Sequence, residues 1–318
     1  MIPLLILILW AIAGDADPAI APLGIRRHIS SLLGGSSSGR PSSGGSNSMV
    51  MDVFYVSHGS PMLPFEEIPA RDFFKGMAKL VKHKPKAILM VSGHWETRDP
   101  MVSTTARNPT IHDFYGFPRE LYELKYEAPG APDVARRAKQ LLQDAGFKQA
   151  GEDPKRGLDH GAWVPLWLAF PDADIPVFQL SLQSHKDAAY HYRLGRALTP
   201  LTREGVLIIG SGTTTHNLRH MLPTVPDWGK AFDDWLYDCL IHQRYDEVTQ
   251  FMDKAPYAKL NHPTPDHFLP LLVALGAAGE GATAQAIHRS WHGSFSMASY
   301  VFKPAVGAPG PQQQQQEL

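Results

Sequence analysis

The chain has 318 residues, 43% of them hydrophobic, with 30 Lys and Arg against 31 Asp and Glu, 15 histidines and one cysteine. Near-neutral charge, without a basic run or a basic patch interleaved with aromatics, argues against a nucleic-acid surface and for a small-molecule partner. A lone cysteine cannot close an intramolecular disulfide, which fits a reducing cytoplasm, and it leaves nitrogen and oxygen side chains to hold any metal.

Residues 1–48 differ from everything after them. Ile2 to Ala13 is an apolar stretch too short to span a bilayer, and no Lys or Arg precedes it, so a cleaved signal peptide is the weaker reading. Gly34 to Ser48 is a flexible Gly/Ser composition. The segment reads as a non-domain extension, with the globular protein starting near Met49 or Met51 and no membrane association.

The first strand, Val53-Phe-Tyr-Val-Ser, runs directly into His58-Gly-Ser-Pro. Apolar residues at Phe73, Phe74, Met77, Leu80 and Val81 predict a helix over 70–83, ended by Lys84-Pro85. The second strand, Ala87-Ile-Leu-Met-Val-Ser, leads to Gly93-His94-Trp95. A proline-punctuated aromatic segment follows, from Pro109 through His112, Phe114, Tyr115 and Phe117, and reads as a loop walling a pocket. A helix is expected over 132–145, opened by Pro132. An irregular stretch then carries Asp159-His160-Gly-Ala-Trp163, with a short helix over 165–170. A strand at 175–182, a helix at 186–198 and a strand at 205–209 lead to Thr213-Thr-Thr-His216-Asn.

One or two helices cover 228–252, with Cys239 on a core-packing face. In the next helix Thr264 is the expected N-cap and Pro265 the first helical residue, placing His267 in the first turn. Ala298 to Phe302 reads as an edge-like strand, and the Pro/Gly/Gln tail from 305 to 318 as disordered.

Continuous Val/Ile/Leu/Met runs without alternation are the habit of strands buried on both faces, as in parallel sheets. The expected fold is therefore α/β: one domain, 49–304, with a central, mostly parallel sheet flanked by helices and an active site at the C-terminal strand ends. His58, His94 and His216 follow three such strands, and His160 and His267 lie in comparable turns. His28, His83, His185, His191, His220, His242 and His288 are set aside as structural or surface residues. Neutral imidazole is the commonest metal ligand, and small neighbours such as Gly59 and Gly93 let backbone and ion approach. HExxH, Cys-x-x-Cys, GxGxxG after a strand and the P-loop pattern are all missing, and neither Ser57-His58 nor Gly210-Ser211-Gly212 completes a GxSxG elbow.

Six ordered motifs complete the reading: His58-Gly-Ser-Pro, Ser92-Gly-His94-Trp95, Thr110-Ile-His112-Asp-Phe-Tyr-Gly-Phe-Pro, Asp159-His160-Gly-Ala-Trp163, His216-Asn-Leu-Arg219 and Pro263-Thr-Pro-Asp-His267-Phe-Leu-Pro. Between about Val53 and Tyr300 the chain resembles the class III (LigB-type) extradiol ring-cleavage dioxygenases, DOPA 4,5-dioxygenase branch. The resemblance implies that His58 and His94 hold the metal, with His267 in the third position. His216 is implied as acid/base or fourth ligand, and His160 as a second polar group that exchanges a proton with the substrate. His112, Phe114 and Tyr115 are implied to meet the ring.

The implied substrates are a catechol such as DOPA and O2, and the implied cofactor is iron(II). Classical ring-cleaving relatives carry a glutamate where this chain has His267, and an all-nitrogen set also suits zinc. Two other functions use the same residues: a zinc-dependent hydrolase, and a non-catalytic binding protein of the Memo-like type.

Overall fold

The structure, a computed structural model, describes residues 50–305. The expected extension 1–48, and all but the first residue of the expected 305–318 tail, lie outside the described residues. The strands in chain order are β1 Val53–Ser57, β2 Ala87–Ser92, β3 Met101–Ser103, β4 Gly151–Asp153, β5 Val177–Gln179, β6 Val206–Gly212, β7 Thr283–His288, β8 Trp291–His292, β9 Phe295–Ser296 and β10 Ser299–Lys303. Six of them form one sheet in the order β5-β2-β6-β1-β10-β7, while β3 with β4 and β8 with β9 make two small ribbons.

β5, β2, β6 and β1 are mutually parallel, with Ile88 opposite Val177, Ser92 opposite Ser211 and Tyr55 opposite Gly210. Every residue of β1, β2 and β6 is buried. Successive side chains of a strand point to opposite faces, and the two halves of the core follow that period. Val53, Tyr55, Leu89, Val91, Val206 and Ile208 pack on one face, and Phe54, Val56, Ile88, Met90, Leu207 and Ile209 on the other. A doubly covered parallel sheet therefore produces the unbroken apolar runs.

The helix Leu269–Ala277 lies on the first face, and all nine of its residues are buried. Full burial of a Leu or Val side chain is worth about 1.5–3 kcal/mol, so this helix is a principal part of the core. It approaches β6 closely because two strand residues lack side chains. A Cβ on Gly210 would come 2.3 Å from the Pro270 carbonyl oxygen, and one on Gly212 would come 2.0 Å from that of His267.

Several boundaries differ from expectation. The helix predicted over 70–83 ends at Met77 with one further 3-10 turn, Ala78–Leu80, and Leu80 is exposed, so the apolar stripe stops a turn early. Asp159 caps a helix that starts at His160 and runs to Ala169, longer than the one expected over 165–170, because the Asp159 side chain accepts from the Ala162 N–H. Thr264 does not cap the last helix. A turn in which Phe268 and Leu269 N–H groups donate to the Pro265 carbonyl precedes it, with Phe268 at the cap position and Pro270 in the first turn. His267 consequently sits ahead of the helix. β10 is not an edge: it pairs antiparallel with β1 on one side and with β7 on the other. β7 is the edge on that side, and its half-exposed, polar-alternating sequence carries no buried-strand signal.

Candidate metal centre

β2, β6 and β1 are adjacent in the sheet, so the residues that follow them leave it side by side. The ladder continues one step past the strands: His58 N–H donates to the Gly212 carbonyl at 2.9 Å and Gly93 N–H to that of Ser211 at 3.0 Å. These bonds set His58 and His94 at one rim. From the far side, the Thr213 N–H donates to the His267 carbonyl at 3.1 Å, fastening the turn ahead of the last helix over the end of β6.

Three imidazoles meet there. His94 Nε2 lies 3.1 Å from His58 Nε2 and 3.1 Å from His267 Nε2. The opposite nitrogens have their own partners. The Ser211 hydroxyl donates to the Gly161 carbonyl, so its oxygen accepts from His58 Nδ1 at 3.0 Å. His267 Nδ1 donates to the Asp266 carboxylate, and His94 Nδ1 faces that of Asp113 at 3.5 Å. With protons held on the outer nitrogens, the inner ones present lone pairs to one another. Protonation does not relieve the repulsion: burial, then the neighbouring histidines, drives His58 and His267 well below the ordinary imidazole value, and burial brings His94 to about 4. A shared cation does relieve it. Metal–nitrogen bonds of about 2.0–2.1 Å at tetrahedral or octahedral angles separate ligand atoms by about 2.9–3.4 Å, and the 3.1 Å from His94 to each of His58 and His267 falls within that range.

The other two expected histidines border this cluster. His160, in the first turn of its helix, has its backbone N–H and its Nδ1 on the two oxygens of Asp113, at 2.8 and 3.0 Å. Its ring centroid is 3.9 Å from that of His94. Burial tends to raise the Asp113 carboxyl, but the hydrogen bonds and positive edge of His160 prevail and hold it at about 2. His216, anchored by its N–H to the Asn261 carbonyl at 3.0 Å, stacks on His267 with centroids 3.5 Å apart and planes 10° from parallel. Burial, only partly opposed by Asp266, brings its pKa to about 4.

Of the aromatic loop, Phe114 reaches the cluster, 5.8 Å from the His160 ring and packed against Trp163 and Tyr122. His112 donates from Nε2 to the Leu124 carbonyl at 3.0 Å and braces the loop from behind. Tyr115 is 92% exposed, away from the histidines.

The surrounding polar groups are less apparent in the sequence. Asp159 is fully buried, accepting from Ser92 Oγ at 2.6 Å and from Arg156 at 2.7 Å. Arg156 also donates to the His94 carbonyl at 3.2 Å. Metal-binding histidines usually give their other nitrogen to a carboxylate or hydroxyl, and the adjacency of Asp266 to His267 is the one local signal of such a pair. Asp113, Ser211 and Arg156 reach their histidines only through the fold. Two groups bring potential ligand atoms within 4.8 Å of one another: His58, His94 and His160, in which Asp113 holds the Nδ1 of His160, and His216, Asp266 and His267, in which Asp266 sits at the outer nitrogen of His267.

Residues 52–303 match the family model described as the catalytic LigB subunit of aromatic ring-opening dioxygenase. The chain belongs to the LigB family. It is an extradiol ring-cleaving dioxygenase, and its family works with a non-haem metal. It is 51% identical to the Beta vulgaris protein named 4,5-DOPA dioxygenase extradiol over 81% of this chain and 98% of that one. The Portulaca grandiflora protein of the same name is 48% identical over 79% and 95%, and that of Escherichia coli (strain K12) 39% over 71% and 85%. The crystal structure of an uncharacterized protein from Escherichia coli K12 superposes on this dioxygenase with a TM-score of 0.66 and 32% identity, covering 79% of this chain and 99% of that one. Among the described residues, no helix is long and apolar enough to cross a membrane.

Depressed histidines have a cost at acid pH. Besides the cluster, burial lowers His191 to about 4 and His262 to about 3. Unfolded histidines take up protons near pH 6.5, and these folded ones do not until about pH 4 or below, so the unfolded state binds more protons in between. Stability of the metal-free dioxygenase is therefore full above pH 6.5 and falls as pH drops towards 4. Urea midpoints measured from pH 7.5 to 4.5 should decline steadily, and a flat series contradicts the neutral, buried state of these rings.

Proposed function

We propose that His58, His94 and His267 hold an iron(II) ion, and that the dioxygenase opens the ring of a catechol such as DOPA beside its two hydroxyls. The observation that carries the reading is the meeting of three Nε2 atoms, 3.1 Å from His94 to each of the other two, with their outer nitrogens already partnered. DOPA is supported by the names of the Beta vulgaris and Portulaca grandiflora relatives. Asp113 and Asp266 support iron: they set two carboxylates just outside the nitrogens, supplying negative charge that a triad without glutamate otherwise lacks.

Bound iron(II) supplies one-electron chemistry towards O2, which zinc cannot. The remaining work falls to side chains. His216 takes the proton of a catechol hydroxyl, for which its depressed pKa keeps it neutral and ready. Stacking supports this role over that of a fourth ligand. The His216 ring lies flat on that of His267, centroids 3.5 Å apart, so its edge nitrogens are not turned towards the His267 ring nitrogens as those of a co-ligand would be. His160, oriented through Nδ1 by Asp113, is the second proton-handling group, and the carboxylate fixes its ring orientation as a triad aspartate does. Phe114 makes the apolar wall beside it, with His112 behind and Tyr115 at the solvent rim. Residues 49–304 are taken as the catalytic domain, supported by the family match over 52–303. A buried, unpaired Cys239 supports a reducing compartment such as the cytoplasm.

Anaerobic loading with iron(II), then addition of DOPA and air, is expected to consume O2 and give a yellow ring-opened product, while the zinc-loaded protein consumes none. Absence of O2 uptake across a panel of catechols overturns the proposal.

A further inference from the structure

The helix His160–Ala169 has a proline in its interior, Pro165. An interior proline offers no N–H to the carbonyl four residues earlier, and its ring pushes that carbonyl away from the helix. Here the carbonyl is that of Gly161, whose backbone is pressed against the site: a Cβ there would lie 2.4 Å from Ser92 Oγ, 2.9 Å from His94 Cδ2 and 3.1 Å from His58 Cε1. Ser211 on β6 takes it, its hydroxyl donating at 2.5 Å. A serine hydroxyl has one hydrogen. With that hydrogen on Gly161, Ser211 Oγ can only accept from His58 Nδ1, 3.0 Å away.

We propose that Pro165 is a positioning residue. By keeping the Gly161 carbonyl out of the helix ladder and free for Ser211, it locks His58 in the Nδ1-protonated tautomer and turns the Nε2 lone pair towards His94 and His267. An ordinary residue at 165 would bring an N–H to the same carbonyl. The Ser211 hydroxyl could then rotate and donate to His58 Nδ1, moving the imidazole proton onto Nε2, the atom that faces the cluster. An interior proline weakens a helix taken alone, and this one is explained by what it does for β6. The tautomer claim stands on the hydrogen bonds alone, and its consequence for metal rests on the reading of His58 as a ligand.

Long-range proton–nitrogen spectra of the chelator-treated, 15N-histidine-labelled protein read the tautomer directly. His58 should show a protonated Nδ1 and a bare Nε2, and a protonated Nε2 in the unaltered protein overturns the proposal. In Pro165→Ala the proton should appear wholly or partly on Nε2, and zinc affinity, measured against a chromophoric chelator, should fall about 10–100-fold, as on loss of an outer partner. The thermal midpoint should hold or rise, because the helix regains a bond. Ser211→Ala, which leaves the helix sequence intact, should remove the same preference. An unchanged His58 tautomer in both variants also overturns the proposal. A shifted tautomer with unchanged zinc affinity supports the Pro165–Ser211 relay and overturns instead the place of His58 among the ligands.

Discussion

Replacing His94 by alanine is expected to strip the dioxygenase of its metal and of ring cleavage together. His94 Nε2 is the atom the other two inner nitrogens share, at 3.1 Å from each. Removing it leaves two ligands, fewer than the three that catalytic sites with open positions ordinarily use. Metal content after dialysis should fall below the level of stoichiometric binding, and O2 consumption with catechol should drop by three orders of magnitude or more, roughly the scale on which catalytic units fail when a core member is lost. The fold should survive, because the His94 side chain is partly exposed and the strand before it is held by β5 and β6. A His94→Ala protein that keeps one tightly bound iron and its turnover refutes the triad.

His216→Ala should separate chemistry from metal binding. Its ring lies flat on His267 and its pKa is depressed to about 4, the arrangement of a neutral base beside the cluster. Loss of a general acid–base group costs about 10²–10⁴-fold in rate. The expected result is a kcat reduced on that scale with iron content unchanged. Iron lost in parallel with activity would return His216 to the ligand sphere and remove its role as a base.

The parts of this architecture visible in the residues are those that physics writes locally. β1, β2 and β6 announce themselves because burial on both faces requires unbroken apolar runs, and the histidines that close two of them follow at once. His267 stands out in the sequence as a histidine in an aspartate-flanked turn, but its place as third ligand comes only from the motif. Its turn depends on Pro265, Pro270 and the close approach that Gly212 permits, none of which forms a periodic pattern. The N-cap of the His160 helix was within reach, since Asp159 is a favoured cap residue; the internal Pro165 disguised the helix by suggesting a start where there is none. β7 stayed hidden because an edge strand half open to solvent needs no apolar run. Asp113 and Ser211 touch histidines 47 and 153 positions away, distances at which no spacing rule operates.

The position of β6 governs the order in which this catalyst can be assembled. β1 and β2 are not neighbours; the strand that joins them is made more than a hundred residues later and slides between them. A nascent chain that ends before residue 206 therefore has a gap where the middle of its sheet belongs, and His58 and His94 have nothing to hold them at a common distance. Insertion of a central parallel strand is a non-local event, slow compared with local helix formation. The histidine cluster is thus framed only once β6 and the turn that Thr213 fastens over its end have both been made.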